Sequence, residues 1–206
     1  RLTLASSSTA ASLGNFIAIS PDARFLFNAN ETSVESLAIG ANGSLMVAQP
    51  PIPTGGSAAG LSGELLVSPD SRFLYVLNQT NLAVFSIGSA GMLSPVAGSP
   101  FTIDAGGTGL SITPDGKHLY IVFQNDSFSA KGYTFDPAAA TLTPIPNASI
   151  TDNVFSITID ASGGFAYVTE NQALSTYRID PATGSLTKIS QAAQPIGDAQ
   201  TMVVVQ

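Results

Sequence analysis

Short apolar runs recur along the chain, each closed by a cluster of turn-forming residues. Four segments align: FIAISPDARFLFNAN from Phe16, ELLVSPDSRFLYVLN from Glu64, GLSITPDGKHLYIVF from Gly109 and SITIDASGGFAYVTE from Ser156. Anchored on Phe27, Tyr75, Tyr120 and Tyr167, the repeat length is 48, 45 and 47 residues. In the first copy FIAIS reads as a strand A and Pro21-Asp22-Ala23-Arg24 as a turn, because proline presets φ and aspartate bonds back to the backbone. FLFNA then reads as strand B, with large apolar residues spaced for a half-buried pleated surface. SVESLAI follows as strand C, Ala41-Asn42-Gly43 as the next turn, and strand D begins at Ser44. The same C–D punctuation returns at Ser89-Ala90-Gly91, Asp136-Pro137-Ala138 and Asp180-Pro181-Ala182-Thr183-Gly184.

A unit of four short strands repeated at this period predicts an all-β chain: a β-propeller of four-stranded antiparallel blades, about four of them. The blades are expected at residues 14–60, 61–107, 108–152 and 153–197, as one partial propeller domain spanning 1–206. Arg1 to Leu4 resembles the strand-D pieces SLMVA and SLTKI, and Thr201 to Gln206 resembles a strand A. These end strands are expected to belong to incomplete blades, either cut from a larger ring or meeting in a fifth blade. The PPIP run at Pro50–Pro53 and the Gly/Ser stretch after it are expected to form a long D–A connection.

The strings SPDSRFLYVLN, SPDARFLFNAN, TPDGKHLYIV and YRIDPATGSL resemble the lactonase-type seven-bladed propeller family. Relatives in that family include 6-phosphogluconolactonase, carboxymuconate cyclase and surface proteins with YVTN repeats. The resemblance covers nearly the whole chain and implies a ring of seven blades. It implies an active site with a His and an Arg at the approach to a strand A, in a Gly-Pro-Arg-His sequence. The positions matching that His are Phe16, Glu64, Gly109 and Ser156, and those matching the Arg are Asn15, Gly63, Thr108 and Phe155. None is a cationic anchor, so the catalytic set that the resemblance implies is absent unless other blades carry it. A Glu that follows the family's YVxN string is matched by Glu31, with Gln79 as its counterpart and Glu170 one position earlier.

Composition narrows the partners. Seven Lys and Arg against fourteen Asp and Glu give a formal charge of −7, which excludes the clustered cations a nucleic-acid partner requires. No apolar run reaches the roughly 18 residues of a membrane span. With no cysteine and one histidine, His118, thiolate chemistry and a catalytic zinc site are excluded, and no metal or cofactor is expected. His118 sits beside the Pro114-Asp115-Gly116 turn, on the opposite rim from the binding loops, and is read as structural or surface. Arg24 and Arg72 are expected to bond to the aspartates of their turns.

Propeller ligands bind where D–A and B–C loops converge, and the residues assigned there are Glu31, Glu64, Asn78, Asp152 and Glu170, with Asp104, Asp126 and Asp198 as further rim acids. The rim acids are read mainly as solvated, with no compact calcium-binding spacing among them. Lys131, at the start of a strand C, is the cation expected to approach this rim. Five N-x-S/T sequons begin at Asn30, Asn42, Asn78, Asn125 and Asn147, in predicted turns where asparagine is favoured anyway. The expectation is a noncatalytic interaction or ligand-binding propeller of an exported protein, extracellular or periplasmic, taking a small molecule, carbohydrate or protein at the channel face. The alternative is a lactonase- or cyclase-like hydrolase whose catalytic residues lie in blades this chain lacks.

Overall fold

The structure, a computed structural model, describes residues 14, 16–30, 32–56, 64–124, 128–170 and 173–193, the last three by backbone alone. All regular elements among them are strands, and no helix is present that is long and apolar enough to cross a membrane. The chain divides into two compact units, Arg1–Ile103 and Asp104–Gln206.

The first unit holds two antiparallel sheets. One runs in the order β1 (Phe16–Ile19), β2 (Phe25–Ala29), β3 (Ser33–Ile39) and β4 (Leu45–Pro53). The other runs β5 (Glu64–Val67), β6 (Phe73–Leu77), β7 (Asn81–Ile87) and β8 (Leu93–Pro95), with β9 (Phe101–Thr102) also paired to β7. The second unit repeats the plan with β10 (Gly107–Ile112), β11 (His118–Phe123), β12 (Ser129–Asp136) and β13 (Thr141–Ile150). Its second sheet is β14 (Ser156–Ile159), β15 (Phe165–Glu170), β16 (Ala173–Ile179) and β17 (Leu186–Ala193). These four meandering sheets are four propeller blades. Phe27, Tyr75, Tyr120 and Tyr167 are each the third residue of their strand B.

The tight A–B turns follow one chemical plan. Ser20 Oγ donates to Asp22 Oδ1 at 2.6 Å, and Asp22 Oδ1 accepts the Arg24 amide at 3.2 Å. Ser68 and Asp70 repeat this with the Arg72 amide, and Thr113 and Asp115 with the Lys117 amide. In the fourth blade the two residue types are exchanged: Asp160 stands in the Ser20 place and Ser162 in the Asp22 place, joined at 2.5 Å. The geometry survives because either order supplies one hydroxyl donor and one acceptor to the turn. The third turn residue is left-handed in every blade, at Ala23 (φ 55°), Ser71 (58°), Gly116 (75°) and Gly163 (71°). Arg24 and Arg72 reach their turn aspartates through exposed ion pairs of 3.8 and 3.9 Å and lie over the rings of Phe25 and Phe73.

One expectation is corrected. Pro50–Pro53 is not a connection but the end of strand β4. The register jumps from Ser36↔Gln49 to Val34↔Ile52, so Pro50 and Pro51 bulge opposite Glu35. Proline is tolerated there because β4 is the last strand of its sheet and no neighbour needs its amides. The end strands expected at residues 1–4 and 201–206 lie outside the described residues.

Within each unit the alternate residues of the strands build one core between the two sheets. In the first, Phe25, Phe27 and Ala29 meet Leu65, Leu74 and Phe85. In the second, Tyr120, Val122 and Ala130 meet Ile157, Ala166 and Val168.

Candidate functional site

Strand alternation places Ala166, Val168 and Glu170 on one face of β15, and Ser175, Tyr177 and Ile179 on the same face of β16. The first residues of that face enter the core, and Glu170, the last residue of its strand, closes it. Its side chain is 2% exposed. Tyr177 Oη donates to Oε1 at 2.6 Å, while Ser175 Oγ and Lys188 Nζ donate to Oε2 at 2.7 and 2.8 Å. Lys188, on β17 opposite Tyr177, lies 5.6 Å from the centre of that ring and 3.7 Å from Asp152. Lys188 therefore joins two of the residues expected at the rim, Asp152 and Glu170.

Burial pushes the Glu170 carboxyl up, but the donors from Lys188, Tyr177 and Ser175 outweigh it and hold the group below its ordinary value. The Tyr177 phenol is raised well above its ordinary value, first by burial and then by the carboxylate it donates to. Glu170 is thus a carboxylate and Tyr177 a phenol at neutral pH. Glu170 is not the solvated loop acid that the sequence suggested. A carboxylate with both oxygens bonded and its proton affinity lowered is a poor general base.

The sequence marks the cations of the A–B turns and does not single out Lys188. Only the structure shows that Leu186 packs against the core, which puts Lys188, two places along the strand, on the same face. The cation that reaches Glu170 is Lys188, not the expected Lys131. Lys131, the cation expected to approach the rim, is taken by Asp104 in a direct ion pair.

The remaining rim residues are dispersed. Glu64 opens β5, half-buried, opposite Leu77. Asn78 is 7% exposed and uses its amide to bond Asn81 Oδ1 at 2.8 Å. It occupies the position that Glu170 fills in the fourth blade, where the first blade has Asn30, whose Oδ1 caps the Thr32 and Ser33 amides. Glu31, Asp126 and Asp198 lie outside the described residues. His118 is 4% exposed, with Nε2 buried and unpartnered and Nδ1 3.5 Å from Thr134 Oγ1. It lines a pocket of about 100 Å3 with Thr113, Asp115, Ser162 and Pro181 beside the A–B turns. Among the described residues no group of three or more His, Asp or Glu side chains could hold a metal ion.

The family described as lactonase, 7-bladed beta-propeller matches residues 15–155, the stretch that holds the first three sheets. The chain belongs to this lactonase-type propeller family. No curated protein matches the chain. Among solved structures it is similar to a candidate 6-phosphogluconolactonase from Bacteroides uniformis, at 16% identity and TM-score 0.72, covering 87% of this chain and 54% of that one. A protein from Lactobacillus plantarum is similar at 20% identity and TM-score 0.68, covering 86% of this chain and 56% of the other. A candidate 6-phosphogluconolactonase from Bacteroides fragilis gives 19% identity and TM-score 0.64, with coverage of 86% and 54%. The chain thus spans little more than half the length of these structures. At such identities the likeness speaks for the propeller fold.

Proposed function

We infer that these four blades form a noncatalytic part of a lactonase-type propeller, contributing ligand-binding or interaction surface and no general base. The observation that carries this reading is the saturation of Glu170, the most deeply buried of the described acids assigned to the rim, by Tyr177, Ser175 and Lys188. Opening a lactone needs a base with a free lone pair beside an attackable water, and a donor for the developing oxyanion. Asp104 and Asp152, both half or more exposed, sit in ion pairs with Lys131 and Lys188. A low charge and a Ser-, Thr-, Gly- and Asn-rich composition support export to an extracellular or periplasmic location.

A second reading is favoured by the family match: the whole protein hydrolyses a sugar lactone with residues of blades outside this chain. The candidate 6-phosphogluconolactonases among its structural relatives support that substrate class. The test is hydrolysis of gluconolactone and 6-phosphogluconolactone by the full-length protein, its Glu170→Gln variant and its Glu64→Gln variant. Turnover that survives both substitutions within about threefold fits catalysis elsewhere. A loss of a hundredfold or more in kcat from either, with the fold intact by circular dichroism, overturns the noncatalytic reading of these blades.

A further inference from the structure

Two departures from the repeat meet on the B–C and D–A rim of the second unit. Residues 124–128 separate β11 from β12, where only 30–32, 78–80 and 171–172 separate the same strands in the other blades. The longer connection ends on Phe128, directly before β12. Phe155, directly before β14, stands at a position filled by Asn15, Gly63 and Thr108 in the other copies. Backbone bonds bring the two together: the Val154 amide donates to the Phe128 carbonyl at 2.9 Å, and the Phe155 amide donates to the Thr169 carbonyl at 2.8 Å. The ring centres lie 5.6 Å apart with their planes inclined at 47°.

Both phenylalanines are half-buried, so each keeps accessible surface. Phe128 holds a φ of 35° and Asn153 one of 53°, a region that a bulky L-residue rarely adopts and that recurs at ligand clamps. Polar groups stand beside the rings along the chain. Asp152 and Asn153 are both exposed, and the Asn153 side chain has no hydrogen-bond partner among the described residues. Asp152 is balanced by Lys188 at 3.7 Å, and the same ammonium is shared with Glu170. Lys188 therefore has little charge left for a phosphate or carboxylate, and Asp152 little for a cation.

We propose that Phe128, Phe155, Asp152 and Asn153 form a subsite for a neutral pyranose sugar, its C–H face on the two phenyl rings and its hydroxyls on the carboxylate and the amide. The proposal rests on the reading of these blades as ligand-binding surface and names the ligand class. Rings inclined to each other cannot both stack in parallel on one flat ligand. A puckered sugar directs C–H bonds at both, and these are attracted to the negative faces of the rings. Each sugar hydroxyl donates and accepts, which matches a carboxylate acceptor beside an amide that does either.

Saturation-transfer NMR and titration calorimetry on the full-length protein test it, with methyl glucopyranoside, methyl mannopyranoside and methyl galactopyranoside as probes and glucose 6-phosphate as the anionic comparison. At least one glycoside binds, and its ring C–H protons receive saturation from the protein's aromatic protons. Phe128→Leu and Phe155→Leu keep the apolar bulk without the ring and weaken binding by about threefold to tenfold. Asp152→Ala, at an exposed residue outside the packing, weakens it by about threefold or more. Lys117→Ala, beside an A–B turn on the opposite rim, leaves it unchanged. Binding of none of the three glycosides, or tighter binding of glucose 6-phosphate than of any of them, overturns the proposal. Glycoside binding that all three rim variants retain at wild-type strength also overturns it, while the noncatalytic ligand-binding reading stands. That reading falls by a different result, the loss of lactone turnover in Glu170→Gln or Glu64→Gln.

Discussion

Lys188 Nζ lies 2.8 Å from Oε2 of Glu170, an ammonium one-third exposed against a carboxylate that is 2% exposed. The asymmetry sets the pH response. Glu170 is held below its ordinary value of 4.5 although burial alone raises it, because the bonds from Lys188, Tyr177 and Ser175 prevail. A depressed carboxyl contributes stability above the unfolded value and loses it as pH falls through the folded value. Lys188→Met should therefore cost about 2 kcal/mol near neutral pH, less than a fully buried pair because Lys188 is partly solvated. The cost should shrink as the pH falls below about 4.5, where the carboxylate left behind takes up a proton. Urea denaturation at neutral pH and at successive acidic values measures it; a penalty independent of pH would show that Lys188 acts by packing alone.

The double variant Glu170→Gln with Lys188→Met should be less destabilised than the sum of the two single changes by about 1 kcal/mol or more. Removing both charges leaves an amide whose oxygen accepts from Tyr177 and whose NH2 can donate to Ser175 Oγ in the same place. A double-mutant cycle by chemical denaturation reads the coupling directly, and strict additivity would remove the ion pair from the account.

How much of this was legible in the sequence varies with the kind of interaction. The A–B and C–D turns were readable because proline, aspartate and glycine act on their own backbone, so SPDAR, SPDSR and TPDGK announce the hairpins locally. The exchange of Ser and Asp at Asp160 and Ser162 hid the fourth copy only partly. PPIP, expected as part of a connection, continues β4 because an edge strand with a bulge leaves Pro50 and Pro51 no bond to lose. The Glu170 cluster was the least legible. Its members come from three strands, and the cross-strand pairing that sets Lys188 opposite Tyr177 is a tertiary fact that no local pattern encodes.

The left-handed turn positions give a stabilising substitution. Ala23 and Ser71 hold φ values of 55° and 58° in places where the other two blades use glycine. An L-residue in this region costs about 1–2 kcal/mol, and glycine returns part of the gain through its greater freedom in the unfolded chain. Ala23→Gly should raise stability by about 0.5 kcal/mol. Ser71→Gly should give less, because Ser71 Oγ also accepts the Asp22 amide at 3.3 Å. Thermal unfolding of the two variants side by side checks both the sign and the order.

Gly184 is the point where the fourth blade's C–D turn presses on the third blade inside the second unit. Its φ is 73°, and a Cβ there would lie 2.7 Å from Cγ and Nδ1 of His118 and from Cδ1 of Ile145. Its carbonyl accepts the Tyr120 hydroxyl at 2.7 Å, so the turn is both bonded and in contact. Neither ring has room to retreat, since Tyr120 is fully buried and His118 is 4% exposed. Gly184→Ala should therefore cost about 3 kcal/mol, from left-handed strain together with overpacking. Tyr120→Phe keeps the ring but leaves the Gly184 carbonyl without this donor, and should cost about 1–2 kcal/mol. Because His118 is the only histidine in the chain, its ring protons report the contact without ambiguity in an NMR spectrum. They should shift in Gly184→Ala and move much less in Tyr120→Phe. If Gly184→Ala unfolds at the wild-type denaturant midpoint with the His118 signals unchanged, the turn does not bear on the imidazole and this packing of the two blades is wrong.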